Sequence, residues 1–274
     1  MAALRWETTV VDGRDALYAT AGEGPPVVLL HGWGLTHRTY RKALQALVSQ
    51  GMQVWAPAMP GFGGTSDLPE LSLEAYAAWV VEFLDAVGID EPVTLVGHSF
   101  GGGVAIKTAH DAPTRVARLV CVNSIGGSAW TEERGVVRSL AQRPLWDWGL
   151  HLQADLLPWR QVTRVLPVVL GDALPNLLRN PGALWRVGHL ARTADLTAEL
   201  EELKRRGLPV VVLWGKDDNV LPPACLASLR GALGDPHVIT VKGNHSWLLS
   251  DPHVLGEIMT NVVGLVQTEE TGAA

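Results

Sequence analysis

The segment best suited to nucleophilic chemistry is 93–103, with the sequence VTLVGHSFGGG. Ser99 stands there with Gly97 two residues before it and Gly101 two residues after it. An apolar run precedes the serine and a helical pattern follows it, which is typical of a sharp strand-to-helix turn that exposes a nucleophile. Side chains on both flanks of such a turn would collide, and glycine removes that conflict. The segment therefore predicts Ser99 as a nucleophile.

A serine hydroxyl needs a base to take its proton and an acidic group to orient that base. Asp217 and Asp218 follow an apolar run at 209–214, and His245 follows a second run at 237–241. If both runs are parallel strands, these side chains meet at the carboxyl edge of the sheet, where Ser99 also lies. The order serine, acid, histidine predicts His245 as base and Asp218 as acid, with Asp217 as the alternative.

Three other histidines are weaker candidates for the base. His98 is next to Ser99 but is expected to point elsewhere on the turn, His237 begins a strand, and His253 lies in the first turn of the last helix. Asn123 follows the preceding strand, but it is not a carboxylate and is no candidate for the acid.

An oxyanion formed by attack of Ser99 needs two backbone N–H donors. Phe100 directly follows the nucleophile, at the start of the predicted helix. The second donor is expected in the turn HGWG, where Gly32 and Gly34 permit a tight backbone path around Trp33. The predicted oxyanion hole therefore consists of the Trp33 and Phe100 N–H groups.

The elements that must position these residues alternate along the chain. Two antiparallel strands are expected in the first 22 residues, and a buried strand precedes HGWG. Apolar strands that alternate with helical patterns predict an α/β fold, a mostly parallel central sheet flanked by helices. The helices are predicted at 38–49, 72–87, the residues after Ser99, 223–232 and 252–267.

Between 126 and 206 the strand signals vanish and proline recurs, which predicts several short helices. We expect a core domain of residues 1–125 and 207–268, a helical cap of 126–206 and a disordered tail of 269–274. Five of the 11 tryptophans lie between 130 and 185, so the cap is expected to favour an apolar pocket.

Composition narrows the classes of partner. The 274 residues are 47% hydrophobic with a net charge of −6, which does not resemble a basic nucleic-acid surface. The two cysteines lack the spacing of a zinc site or a disulfide framework, and no run suits a signal peptide or a membrane span. These features predict a cytoplasmic monomer or homodimer acting on a small molecule, with neither metal nor cofactor.

Five motifs extend these observations over nearly the whole chain: HGWG at 31–34, PGFGGTS at 60–66, GHSFGG at 97–102, WGKDDNVLP at 214–222 and GNHSWLLSDP at 243–252. With them the chain resembles the serine-nucleophile branch of the α/β-hydrolase superfamily, whose members carry a cap. The resemblance implies an acid three residues after the glycine of WGKD, which is Asp218. The loop PGFGGTS has one residue more than the usual pattern.

The predicted function is hydrolysis of an ester-type bond in a small to medium, largely apolar substrate, through an acyl-enzyme. A carboxylesterase or lactonase would fit this description. Two alternatives remain: a carbon–carbon bond hydrolase acting on a ring-cleavage dicarbonyl product, and a protein that binds a ligand without turnover. Fold resemblance alone does not separate these chemistries.

Overall fold

The computed structural model describes residues 2–127, 171, 174–176, 178 and 180–271. The strands are β1 Arg5–Val11, β2 Arg14–Ala21, β3 Pro26–Leu30, β4 Gln53–Pro57, β5 Val93–His98, β6 Val116–Val122, β7 Val210–Gly215 and β8 His237–Val241. The helices that the structure bounds are α1 Arg41–Ser49, α2 Leu73–Ala86, α3 Phe100–Asp111, α4 Pro181–Thr193, α5 Thr197–Arg205, α6 Pro223–Leu233, α7 Trp247–Ser250 and α8 Pro252–Thr271.

The strands form one sheet in the order β1-β2-β4-β3-β5-β6-β7-β8. β1 and β2 pair antiparallel, and β2 joins β4 antiparallel. From β4 to β8 all neighbours run parallel. Parallel neighbours need crossover connections, and helices supply them here. The predicted fold, a mostly parallel sheet flanked by helices, is confirmed.

Apolar side chains cover both faces of this sheet. On one face, α2, α3, α4, α5 and α6 contribute to a cluster that includes Phe83, Val104 and Leu229. On the other, α1, α7 and α8 contribute to a cluster that includes Leu47 and Trp247. Every residue of β5 is buried, as expected of a central strand with helices on both sides. The strand that carries the Ser99 turn is therefore fixed from two sides.

The structure differs from the prediction by three or more residues at the start of α1 and at the end of α8, and it contains one short helix that was not predicted. α1 begins at Arg41 rather than at 38, because the preceding residues form successive turns in which the N–H groups of Thr39, Tyr40 and Arg41 bond three residues back. The four-residue helix α7 was not predicted. α8 continues to Thr271, past the predicted end at 267, so residues 269–271 of the predicted disordered tail are helical.

The predicted cap at 126–206 lies partly outside the described residues. Helices α4 and α5 fall inside its range, whereas 128–170 is not described, so the cap remains a prediction. Both helices pack on the core, since Val187 and Leu200 belong to the cluster around α3. No helix in the described ranges combines the length and apolar character that crossing a bilayer requires.

The closest backbone contacts lie where β5 passes into α3. A Cβ placed on Gly97 would lie 2.3 Å from the carbonyl oxygen of Gly101. A Cβ on Gly101 would lie 2.4 Å from the carbonyl oxygen of Leu30 in β3. Both distances are far inside van der Waals contact, so no side chain fits at either position. These glycines let the first turn of α3 pack directly on the sheet.

We expect Gly101→Ala to lower the free energy of unfolding by at least ~1–3 kcal/mol, because the added methyl group overpacks a site walled by backbone. Gly231→Ala in α6 is the matched control, since a Cβ there meets nothing within 4 Å. It should stabilise the helix by roughly 0.5–1 kcal/mol. Urea denaturation measures both. Equal stabilities of the two variants would contradict the close packing at Gly101.

Candidate active site

Ser99 occupies a strained backbone conformation, with φ 54° and ψ −117°. Such a conformation costs about 1–3 kcal/mol for a residue other than glycine and persists only where neighbours fix it. Its N–H donates to Val122 in β6 at 3.0 Å, and its carbonyl accepts from Gly102 and Ile125. Phe100 is the first residue of α3, so its N–H has no intrahelical acceptor.

His245 and Asp218 are in direct contact. Nδ1 of His245 lies 2.9 Å from Oδ2 of Asp218, and the two side chains are only 3% and 1% exposed. Because an ionised carboxylate only accepts hydrogen bonds, Nδ1–H is the donor. Asp217 is exposed, so His245 pairs with Asp218 rather than with its neighbour.

Four hydrogen bonds hold the Asp218 carboxylate. Oδ1 accepts from the N–H groups of Val220 and Leu221 at 2.8 and 3.0 Å. Oδ2 accepts from His245 and from the amide of Asn123 at 2.5 Å. Burial by itself would raise the pKa of Asp218. The charge and hydrogen bond of His245, together with the other donors, outweigh burial and hold that pKa below its ordinary value.

Asn123 is a site residue that the sequence did not reveal. It follows β6 with φ 41°, and its amide oxygen accepts from the indole N–H of Trp247 at 2.8 Å and from Gly215 at 3.2 Å. Its Nδ2 group donates to Asp218. The side chain thus fixes Asp218 from β6. Its place directly after an apolar strand, at the edge shared with Asp218, was the signal that could have identified it.

The HGWG turn lies against Ser99. Leu35 N–H donates to the Gly32 carbonyl at 3.3 Å, and Gly34 has φ 74°, so the chain reverses tightly around Trp33. The Trp33 N–H takes no part in that turn bond. A Cβ on Gly32 would lie 3.4 Å from the Cβ of Ser99, which puts the turn in van der Waals range of the serine.

The segment before and within α4 supports this turn. The indole N–H of Trp33 donates to the Leu184 carbonyl at 2.7 Å. The buried Asn176 donates to the Gly34 carbonyl at 3.3 Å and accepts from the Gly63 N–H at 3.1 Å. One amide therefore links HGWG to the glycine-rich loop at 60–66. No pattern in the sequence pointed to Asn176, because its partners lie more than a hundred residues away.

The three histidines that were weaker candidates for the base lie in different surroundings. His98 is buried, and its ring centroid lies 5.0 Å from that of His245. His237 and His253 are exposed at the starts of β8 and α8. Within the described residues, no group of three or more His, Cys, Asp or Glu side chains is placed to hold a metal ion. The structure thus groups Ser99, Asp218 and His245 at one edge, with His98 beside them.

A family model described as alpha/beta hydrolase fold matches residues 25–252, a range that includes every side chain of this site. The chain belongs to the α/β-hydrolase fold family. An uncharacterized protein of Mycobacterium tuberculosis is 34% identical over 234 residues, 77% of this chain and 67% of that protein. A proposed non-heme haloperoxidase of Mycobacterium phage D29 is 26% identical over 276 residues, 93% and 94% of the two chains.

Solved structures agree with this membership. An esterase from Exiguobacterium antarcticum superposes with a TM-score of 0.75 at 18% identity, covering 96% of this chain and all of the esterase. At that identity the likeness concerns the fold alone. Family and relatives together make this α/β-hydrolase chain a hydrolase, and its bond specificity has to be argued from the site.

The lowered pKa of Asp218 predicts a measurable pH dependence of stability. A carboxyl whose pKa is lower in the folded chain stabilises the fold above its unfolded pKa, and this stabilisation is lost as pH falls through the folded pKa. We expect the free energy of unfolding to fall more steeply for the wild type than for Asp218→Asn as the pH drops below about 5, because an unfolded aspartate titrates near ~3.9 and the pKa of Asp218 lies below its ordinary value.

Urea denaturation at each pH measures this difference. Asp217→Asn is the matched control, because the neighbouring carboxylate is exposed. It should follow the wild-type curve. Parallel curves for the wild type and Asp218→Asn would show that the Asp218 carboxylate gains nothing from its buried contacts.

Proposed function

We propose that this α/β-hydrolase is a serine hydrolase that cleaves an ester-type bond through an acyl-enzyme. The observation that carries the proposal is the buried contact of His245 with Asp218, at the sheet edge where the Ser99 turn is strained. Structural packing does not require a buried ionised carboxylate, which is costly to desolvate unless its partners are exact. A buried acid that orients an imidazole beside a serine is the arrangement that general-base catalysis needs.

In the proposed mechanism His245 transfers protons in both acylation and deacylation. Asp218 holds His245 with Nδ1 protonated, so that Nε2 takes the Ser99 proton as Oγ attacks the carbonyl carbon. The Trp33 and Phe100 N–H groups donate to the resulting oxyanion. His245 then returns the proton to the leaving alcohol as the carbon–oxygen bond breaks. Water, deprotonated by His245, attacks the acyl-enzyme, and His245 returns that proton to Oγ of Ser99 as the acid is released.

Apolar surface beside the HGWG turn supports an apolar substrate. Leu184 comes within 3.5 Å of the position of a Cβ on Gly34, and Trp33 is half-buried next to it. Trp185 in α4 is 65% exposed and contributes little to a closed pocket. The other tryptophans of the predicted cap lie outside the described residues. We infer a small to medium acyl group, with the segment 126–206 as its cap.

We expect turnover of p-nitrophenyl esters from acetate to octanoate, and loss of at least ~10³-fold in kcat for Ser99→Ala and of about 10³–10⁴-fold for Asp218→Asn. Asp217→Asn should keep wild-type kcat, since it changes an exposed carboxylate one residue away. A serine-directed phosphonate should label the wild type and not Ser99→Ala.

Three other outcomes would each contradict part of the proposal. A wild type that is labelled by the phosphonate but turns over no ester would replace the ester proposal with carbon–carbon bond hydrolysis, to be assayed on a ring-cleavage dicarbonyl. Absence of both labelling and turnover would favour a ligand-binding protein. Equal losses for Asp217→Asn and Asp218→Asn would contradict the assignment of the acid.

A further inference from the structure

A series of buried hydrogen bonds connects the HGWG turn to the backbone of His245. The Gly32 N–H donates to the Tyr40 hydroxyl oxygen at 2.9 Å, and that oxygen lies 2.6 Å from Nδ1 of His98. Nε2 of His98 lies 2.9 Å from the backbone carbonyl oxygen of His245. All four residues are buried. We call Gly32, Tyr40, His98 and His245 the Tyr40–His98 chain.

The partners fix where each proton lies in this chain. A backbone carbonyl only accepts, so Nε2 of His98 carries the hydrogen and donates to His245. Burial, together with the repulsion that a protonated His245 would exert, lowers the pKa of His98 to about 3, so the ring is neutral and Nδ1 is an acceptor. The Tyr40 hydroxyl therefore donates to Nδ1 and accepts from Gly32. Every donor and acceptor in the chain has its partner.

One end of the Tyr40–His98 chain lies at the proposed oxyanion turn, and the other lies at the proposed base. Gly32 directly precedes Trp33, whose N–H we assign to the oxyanion, and lies within van der Waals range of Ser99. His245 is the proposed base, and its backbone carbonyl accepts from Nε2 of His98. A shift at either end would move a reacting group relative to Ser99, and displacements near 1 Å cost about 10²-fold in rate.

We propose that Tyr40 and His98 are positioning residues for the hydrolytic reaction, holding the oxyanion turn at Gly32 and the backbone of His245 in one fixed arrangement around Ser99. This inference rests on the proposed function. It assigns a role to a tyrosine near the start of α1 and to the histidine before the nucleophile, neither of which touches substrate in the proposed mechanism.

Packing alone would not require these polar atoms. The rings of Tyr40 and His98 meet edge to face with centroids 5.7 Å apart, a contact that phenylalanine at position 40 would preserve. Removing the Tyr40 hydroxyl would instead leave the Gly32 N–H and the Nδ1 atom of His98 buried without this partner. The hydroxyl thus acts on backbone position rather than on volume.

The test compares two buried tyrosines that each lose one hydroxyl. Tyr40→Phe should lower kcat by about 10- to 100-fold on the best p-nitrophenyl ester, with KM changed by less than about 3-fold, because oriented groups are displaced while the pocket is kept. Tyr76→Phe is the matched control. Tyr76 is also fully buried, and its hydroxyl donates to the Pro60 carbonyl at 2.9 Å, outside the chain.

Tyr40→Phe should lose at least as much stability as Tyr76→Phe, because it leaves two buried groups without their hydroxyl partner rather than one, and only Tyr40→Phe should lose kcat once rates are normalised to the folded fraction. A second pair tests the other end. His98→Gln keeps an N–H donor for the His245 carbonyl and should retain more kcat than His98→Leu, which keeps none. The rate of phosphonate labelling of Ser99 should rank the variants in the same order.

The wild type and Ser99→Ala are assayed first. A wild type without Ser99-dependent turnover overturns the proposed function and the positioning role with it. An active wild type whose kcat survives unchanged in Tyr40→Phe, or whose His98→Gln and His98→Leu variants are equally active, overturns only the positioning role. Equal kcat losses in Tyr40→Phe and Tyr76→Phe would likewise show that the Tyr40 hydroxyl has only a structural role.

Discussion

The backbone turn at Ser99 is the constraint on which the rest of the site depends. β5 ends at His98 and α3 begins at Phe100, so a single residue reverses the chain direction in a conformation with φ 54°. The strain of about 1–3 kcal/mol is offset because β6 binds the Ser99 N–H and because Gly101 lets α3 pack on β3. The same geometry leaves the first N–H of α3 without an intrahelical partner, directly beside the serine hydroxyl.

A buried carboxylate imposes the second constraint, because its desolvation has to be matched by hydrogen bonds. Asp218 receives four, from two backbone N–H groups, from Asn123 and from His245. Asn123 is in turn fixed by Trp247, a residue of α7. The acid therefore stands in place only when β6, β7 and the loop after β8 are assembled together. Function at this edge is a property of the whole sheet, and no single loop could hold the same geometry alone.

The sequence predicted the positions that follow from strand order and missed those that follow from tertiary contact. Ser99, Asp218 and His245 each come directly after an apolar strand, so a parallel sheet brings them to one edge. Whether His245 meets Asp217 or Asp218 depends on side-chain direction in the loop, which no local pattern fixes. Asn176 was not predicted as a site residue because its partners lie more than a hundred residues away, whereas Asn123, which also follows an apolar strand, was set aside because it is not a carboxylate. Tyr40 stands at helical spacing from Ala43, Leu44 and Leu47, which is why α1 was predicted three residues too long.

The buried histidines at this edge differ in protonation. His31 accepts from the Met59 N–H through Nε2, so this nitrogen carries no proton and the ring serves as a neutral connector. His98 is kept neutral by burial, with its pKa lowered to about 3. A second positive imidazole, 5.0 Å from the His245 ring, would oppose the charge that His245 takes up in the proposed mechanism. With its neighbours neutral, the Asp218 carboxylate has one cation to stabilise. If His245 is the base that we propose, the burial of His31 and His98 keeps neighbouring positive charge away from it as well as filling the core.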